Sequence, residues 1–246
     1  MQTFRTHEIA KIIGVHPNTV RMYESIGFIS TPERSLNGYR IYTQLHVNQM
    51  KLARTALRAE VLQNGLRKKA IEIIQLCAAY KFDKAIKETE KYDSMLVGEI
   101  DNAKLAIKYV ETILQGGQRH ETILLKRSEA ASLLCVTTDT LRNWEVNGLV
   151  TIKRKQNGYR VYDGEDIERL QIIRSLRCAN YSLASILRLL QKLSGDDKVV
   201  IEDVLNTPEN NETIVSVCDR LIISLEMTRQ DVVKMSLLLQ EMRAQI

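Results

Sequence analysis

Apolar residues recur at helical spacing through most of this sequence, and the pattern breaks in two matched places. Over residues 6–13, Ile9, Ile12 and Ile13 share one face of a short amphipathic helix, with Thr6 as its expected N-cap. Gly14-Val15 makes a turn, and Pro17 suits the first position of a second helix predicted over 17–25. Gly27 can end that helix in left-handed backbone. The same order returns later, where Ser128 is expected to cap a helix over 129–134 and a second helix is predicted over 138–146, stopped by Gly148. Residues 28–42 and 149–162 lose the helical period. Each reads as a two-stranded hairpin, turning at Asn37-Gly38 and Asn157-Gly158.

Two heptad seams follow. Ile86, Asp93, Ile100, Ile107 and Leu114 recur every seven residues, interleaved with Thr89, Leu96, Ala103 and Val110. Ile214, Leu221, Thr228, Met235 and Met242 interleave with Cys218, Leu225, Val232, Leu239 and Ile246. Such seams predict long coiled-coil helices, with an amphipathic helix laid on a globular core as the rival reading.

The matched breaks belong to an internal repeat. Glu8, Ala10, Val15, Thr19, Arg21, Glu24 and Gly27 recur 121 positions later as Glu129, Ala131, Val136, Thr140, Arg142, Glu145 and Gly148. After a one-residue length change, Asn37-Gly38-Tyr39-Arg40-Ile41-Tyr42 returns as Asn157-Gly158-Tyr159-Arg160-Val161-Tyr162. Each unit pairs two short helices across a tight turn, a helix-turn-helix pattern, with the hairpin as a wing.

Charge changes the picture more than composition does. The formal net charge of the chain is only +5, but residues 1–79 carry 11 Lys and Arg against 5 Asp and Glu, and residues 121–192 carry 12 against 8. Residues 80–120 balance at 7 against 7, and 193–246 run 5 against 10. Two basic segments thus alternate with neutral or acidic ones, and local cation density is what phosphate neutralisation uses. Arg34 precedes the first wing turn, while Lys153, Arg154 and Lys155 precede the second. Cations at a hairpin tip reach phosphates or protect a strand edge.

The four cysteines (Cys77, Cys135, Cys178, Cys218) form no close pair, so neither a metal site nor a disulfide framework is expected, and no cofactor is called for. No apolar run is long enough for a membrane helix and no basic-then-apolar leader opens the chain, so a cytoplasmic protein without membrane contact is expected. Paired carboxylates, a nucleophile–base set and a Gly-rich phosphate loop are not found, so the chain is not expected to be an enzyme.

On Thr19-Val20-Arg21-Met22-Tyr23-Glu24 with Gly27, and on the Asn37–Tyr42 hexapeptide, the chain resembles the MerR family of bacterial transcription regulators. It does so again on Thr140-Leu141-Arg142-Asn143-Trp144-Glu145 with Gly148, and on the second hexapeptide. Residues 180–186 are similar to the family's helical pair after the wing; their counterpart from Asn64-Gly65 is more diverged and follows an apparent insertion.

The resemblance implies a mainly α fold with two winged helix-turn-helix heads (1–79 and 122–194), each followed by a coiled-coil helix (80–116 and 195–246). It implies that Arg21, Tyr23, Arg142, Asn143 and Trp144 lie on recognition helices entering the major groove of double-stranded DNA. For Tyr23 and Trp144 a place in the core is the alternative. Asn18, Thr19, Asp139 and Thr140 would open those helices beside phosphate, and Tyr39, Arg40, Tyr159 and Arg160 would grip the backbone, with Arg34, Lys153 and Lys155 near the wing tips. Glu24 and Glu145 are assigned to intramolecular pairs. Asn143 stands where the first head has Met22, so the two heads are expected to differ in base preference.

The family's mode of action implies a regulator that distorts promoter DNA, with RNA polymerase as a further partner, or one that represses by occupancy. An architectural recombination accessory factor and a coiled-coil scaffold that binds no DNA are the alternatives. The order head, coil, head, coil, with residues 115–121 between the first coil and the second head, suits a single chain acting as its own pseudo-dimer on a pseudo-palindromic operator. Seven residues span at most roughly 25 Å, enough for the crossing. A homodimer with coils paired between chains is the competing arrangement.

Overall fold

The computed structural model describes residues 2–58, 65–114, 123–152, 160–193 and 214–245. They hold β1 (Thr3–Phe4), α1 (Thr6–Ile13), α2 (Pro17–Ser25), β2 (Glu33–Arg34), β3 (Arg40–Thr43), α3 (Gln44–Ala56), α4 (Leu66–Ala78) and α5 (Phe82–Leu114). Then come α6 (Arg127–Leu133), α7 (Thr138–Val146), α8 (Gly164–Cys178), α9 (Leu183–Leu193) and α10 (Ile214–Ala244). The chain is mainly helical, and it divides into two compact units: residues Met1–Val97 with Glu226–Ile246, and residues Gly98–Leu225. Helix α5 therefore begins in the first unit and ends in the second, and α10 does the reverse.

In the first unit, α1 and α2 pack around Ile9, Ala10, Val20 and Tyr23, all buried. The turn between them passes through Gly14 at φ +71, a left-handed conformation that costs a Cβ-bearing residue more than glycine. Thr6 is the first helical residue and not the cap. Arg5 occupies the cap position, and the Glu8 carboxylate accepts from its backbone N–H at 2.6 Å. The same happens in the second unit. There α6 starts at Arg127, Ser128 lies inside it, and Glu129 accepts from the N–H of Lys126 at 2.7 Å. In both places the carboxylate three residues on satisfies the orphan donor and outcompetes the hydroxyl.

The hairpin of the first unit is shorter and has one more strand than the sequence suggests. β2 and β3 pair antiparallel in the register Glu33↔Ile41 and Arg34↔Arg40, and β1 adds on the other edge of β3 through Phe4↔Tyr42. The turn is a three-residue loop: Ser35 N–H donates to Tyr39 O, Gly38 N–H donates to Ser35 O, and Gly38 alone takes positive φ (+77). That is a turn closed by a glycine bulge, in which Asn37 needs no left-handed backbone. The second unit repeats the β1–β3 pairing as a two-bond bridge between Leu125 and Tyr162. Its Asn157-Gly158 turn lies outside the described residues.

Within the first unit, the start of α5 and the end of α10 run antiparallel. Asp83 pairs with Arg243 at 2.9 Å and Asp93 with Arg229 at 2.8 Å, so numbering rises along one helix as it falls along the other. Head helix α3 reaches α10 through Asn48 to Glu241 at 3.3 Å, and Arg58, just past α3, pairs with Asp231. Within the second unit, α8 is tied to the end of α5. Arg174 pairs with Glu99 at 2.5 Å, and the Gln171 amide donates to Asn102 Oδ1 at 2.8 Å. Ala106 and Val110 of α5 share a core there with Trp144, Leu149, Tyr162 and Ile173 of the head and with Val217 and Cys218 of α10.

Of the seam positions, Leu96, Ile100 and Val110 of α5 and Leu221, Leu225, Val232, Met235 and Leu239 of α10 are buried. Leu114 ends α5 and Ile214 begins α10; Ile246 lies outside the described residues. Of the two interleaved rows in the first seam, Thr89, Leu96, Ala103 and Val110 are all buried, and the other row is shared between neighbouring positions. Ile86 and Ile107 are half-buried, while Ala85, Tyr92, Glu99 and Ala106 are buried, each one position earlier in the heptad than the isoleucine frame. The helix faces more than one neighbour: Glu88 takes Lys69 of α4 at 2.6 Å, Asp93 takes Arg229, and Glu99 takes Arg174.

Candidate nucleic-acid interface

Each head presents one helix whose two faces are chemically opposite. α2 is capped by His16, whose Nδ1 accepts from Asn18 N–H at 3.2 Å, and starts at Pro17, whose missing N–H needs no partner there. α7 is capped by Thr137, whose hydroxyl accepts from Thr140 N–H at 3.1 Å. Val20 and Tyr23, and likewise Leu141 and Trp144, turn into the cores. Opposite them Asn18, Arg21, Met22 and Ser25 form an exposed stripe at i, i+3, i+4 and i+7, matched by Asp139, Arg142, Asn143 and Val146.

This placement puts Tyr23 and Trp144 in the cores and off the exposed stripe. Tyr23 is 6% exposed and meets Phe28 edge to face, with ring centroids 5.4 Å apart; Trp144 is 4% exposed. Each lies three residues after a buried aliphatic, a helical spacing that marks the inward face. Thr19 and Thr140 are half-buried at the helix starts. Arg21 is exposed, its guanidinium held by Asn18 Oδ1 at 3.2 Å.

Arg40 and Arg160, on the extended segments that follow, are latched to these helices. Arg40 Nε donates to Glu24 Oε2 at 2.6 Å, and that hydrogen bond raises the guanidinium pKa. Arg160 sits 3.1 Å from Glu145 in the second head. Glu145 is a larger hub: Arg127 donates to both its oxygens at 2.8 and 2.9 Å, and the Tyr162 hydroxyl donates to it as well. Arg127 was not singled out by the sequence, because its match in the first unit is Thr6. The wing of the first head also carries Arg34, which donates to Gly38 O at 3.2 Å, and Tyr39, 61% exposed. The guanidinium of Arg5 lies over the Tyr39 ring at 5.2 Å; its match in the second unit is Lys126, so the two share charge but not residue type. Lys153, Lys155 and Tyr159 lie outside the described residues.

Arg5, Arg21 and Arg34 are thus exposed on the helix and hairpin of the first head, whereas the second carries exposed Arg142 on the same stripe as Asp139 and exposed Lys126 at the position matching Arg5. Burial pushes the thiols of Cys77, Cys178 and Cys218 up to about 12, while Cys135 is exposed in the turn before α7. Among the described residues, no group of three or more His, Cys, Asp or Glu side chains is placed to hold a metal ion. Nor is any described helix long and apolar enough to cross a membrane.

Two paired helices, an adjoining extended segment and an arginine latch are thus present twice. Residues 5–42 match the MerR family regulatory protein family, and residues 125–193 match the MerR HTH family regulatory protein family. These two matches support a MerR-family regulator.

Among similar curated proteins is the HTH-type transcriptional regulator CueR of Escherichia coli O157:H7, 47% identical over 49 residues, 20% of this chain and 36% of that one. The mercuric resistance operon regulatory protein of Bacillus cereus is 45% identical over 47 residues, 19% of this chain and 36% of that one. A probable heavy metal-dependent transcriptional regulator of Haemophilus influenzae (strain ATCC 51907 / DSM 11121 / KW20 / Rd) is 42% identical over 64 residues, covering 26% of this chain and 50% of that one. The chain thus spans 36–50% of the length of these relatives. No solved structure matches it.

Proposed function

We propose that this chain is a sequence-specific double-stranded DNA-binding transcription regulator of the MerR type, in which both heads engage one operator. The observation that carries the reading is the repeated exposed stripe, Asn18-Arg21-Met22 and Asp139-Arg142-Asn143, opposite a buried aliphatic–aromatic pair and beside a latched wing arginine. On this reading Arg21 and Arg142 address the major groove, and Arg5, Arg34 and Tyr39 address phosphates flanking it. Arg40 and Arg160 fix the angle between wing and helix, and either latch can trade its carboxylate for a phosphate on binding. Promoter distortion with RNA polymerase as partner, or simple occupancy, is the action proposed.

The assembly proposed is a single-chain pseudo-dimer built from head, coil, head and coil. Its support is that each compact unit combines a head with helical segments from both coils. Arg58 and Asn48 of the first head bond α10, and Arg174 and Gln171 of the second bond α5.

Genome-wide footprinting of the full chain tests the function. Protected sites between promoter elements are the expected result. Protection confined to recombination sites, or none at all, contradicts it.

A further inference from the structure

The matched recognition stripes differ at a pair of positions one helical turn apart. In the first head Met22 and Ile26 are 48% and 44% exposed, an apolar i, i+4 pair. In the second the same two positions are Asn143 and Asn147, and their amides are locked together. Asn147 Nδ2 donates to the Asn143 backbone oxygen at 2.8 Å and to Asn143 Oδ1 at 2.5 Å. A backbone carbonyl can only accept, so it fixes the orientation of the Asn147 amide, whose NH₂ faces Asn143. That NH₂ in turn fixes Asn143 with its oxygen inward and its own NH₂ outward. An asparagine with a free edge pairs with adenine by donating and accepting at once. In Asn143 one lone pair of Oδ1 is held by Asn147, which turns that oxygen onto the next turn of the helix and leaves Nδ2 as the group facing outward.

We infer that the two heads read different bases at this matched position. Met22 packs on a thymine methyl, whereas Asn143 donates from Nδ2 to guanine, whose O6 and N7 are adjacent acceptors in the major groove. The inference rests on the DNA-binding reading and adds to it the base each head selects. Asn147 makes no base contact here; it is a positioning residue that turns Oδ1 of Asn143 away from the base edge and so disfavours bidentate pairing with adenine. The operator is then unequal in its two halves at one defined step, which gives a protein with unlike heads a single orientation on its promoter.

The test is selection of duplexes by the full chain from a pool randomised across both half-sites. The wild type should enrich thymine in one half-site and guanine at the matched step of the other. Asn143→Met with Asn147→Ile should convert the guanine to thymine and make the site symmetric at that step. Asn147→Ala should free the Asn143 carbonyl and shift guanine towards adenine by about tenfold, within the range of a bidentate base contact. Unchanged preference at the other steps of the second half-site, together with an unchanged Trp144 melting transition, serves as the control for folding of the second unit. A wild-type consensus symmetric at this step, or a guanine that persists in the Asn143→Met, Asn147→Ile variant, overturns the inference alone. Enrichment of no sequence by the wild type overturns the DNA-binding reading and this inference with it.

Discussion

Replacing Glu99 with alanine strands a guanidinium inside the second unit. Arg174 is 2% exposed and its two terminal nitrogens donate to Glu99 at 2.8 and 2.5 Å, while its Nε is buried without a hydrogen-bond partner. Deleting the carboxylate leaves a charge that water cannot reach, and losing one partner of such a pair costs about 3–5 kcal/mol. For a unit of this size each kcal/mol moves the midpoint by roughly 4 °C, so a fall of about 10–20 °C is expected. The assay is built into the chain. Trp144 is its single tryptophan and lies in the core of the second unit, so tryptophan fluorescence follows that unit's melting. Glu99→Leu combined with Arg174→Met should recover most of the loss, because an apolar pair leaves no charge to solvate. A Trp144-detected loss below about 1 kcal/mol in Glu99→Ala would refute the reasoning, since a pair worth so little resembles one exposed to solvent.

Arg21→Ala and Arg142→Ala should each relax base preference at one half-site, whereas Arg34→Ala should weaken all sequences alike and reduce the log–log salt slope by about one, both read by fluorescence anisotropy. Arg40→Ala should do more than remove a charge: it frees Glu24 beside the DNA, so Arg40→Ala with Glu24→Gln should bind better than Arg40→Ala alone. A thiol reagent should label one cysteine rapidly in the native chain, Cys135, and four in denaturant, because burial holds the other three thiols protonated up to about 12. His46 is buried, with Nδ1 accepting from Thr43 N–H, and burial lowers its pKa below 6.5. The unfolded chain therefore binds the proton first, so stability to urea should fall as pH drops below about 6.5. His46→Gln should flatten that dependence.

The helices of both heads were legible because turn glycines, a proline at N1 and short apolar periods agree locally. Pro17–Ser25 and Thr138–Val146 have the same limits in sequence and structure. The caps were less legible, since a hydroxyl at Thr6 or Ser128 looks like a cap until Glu8 and Glu129 are seen to reach the donor. β1 is only two residues long and carries no alternation, so Phe4 gave no strand signal. The displacement of one row of the α5 seam, where Ala85, Tyr92 and Ala106 are buried and Ile86 and Ile107 half-buried, was hidden for another reason. Heptads at 85 and at 86 fit the same spacing, and choosing between them needs the positions of Lys69, Arg229 and Arg174, which lie far away in sequence. The site divides in the same way. Arg21, Arg142 and the latches Glu24–Arg40 and Glu145–Arg160 follow from the repeat, whereas Arg127 and the Asn143–Asn147 pair belong to the second head, where the first has Thr6 and Met22–Ile26.

The central claim is that one chain supplies both heads to one operator. Light scattering at micromolar protein, alone and with a stoichiometric duplex carrying the selected site, tests it most directly. The account predicts the 28.2 kDa chain as the free species and one chain per duplex at full affinity. A free species of twice that mass at every dilution, with two chains on each duplex, would contradict it.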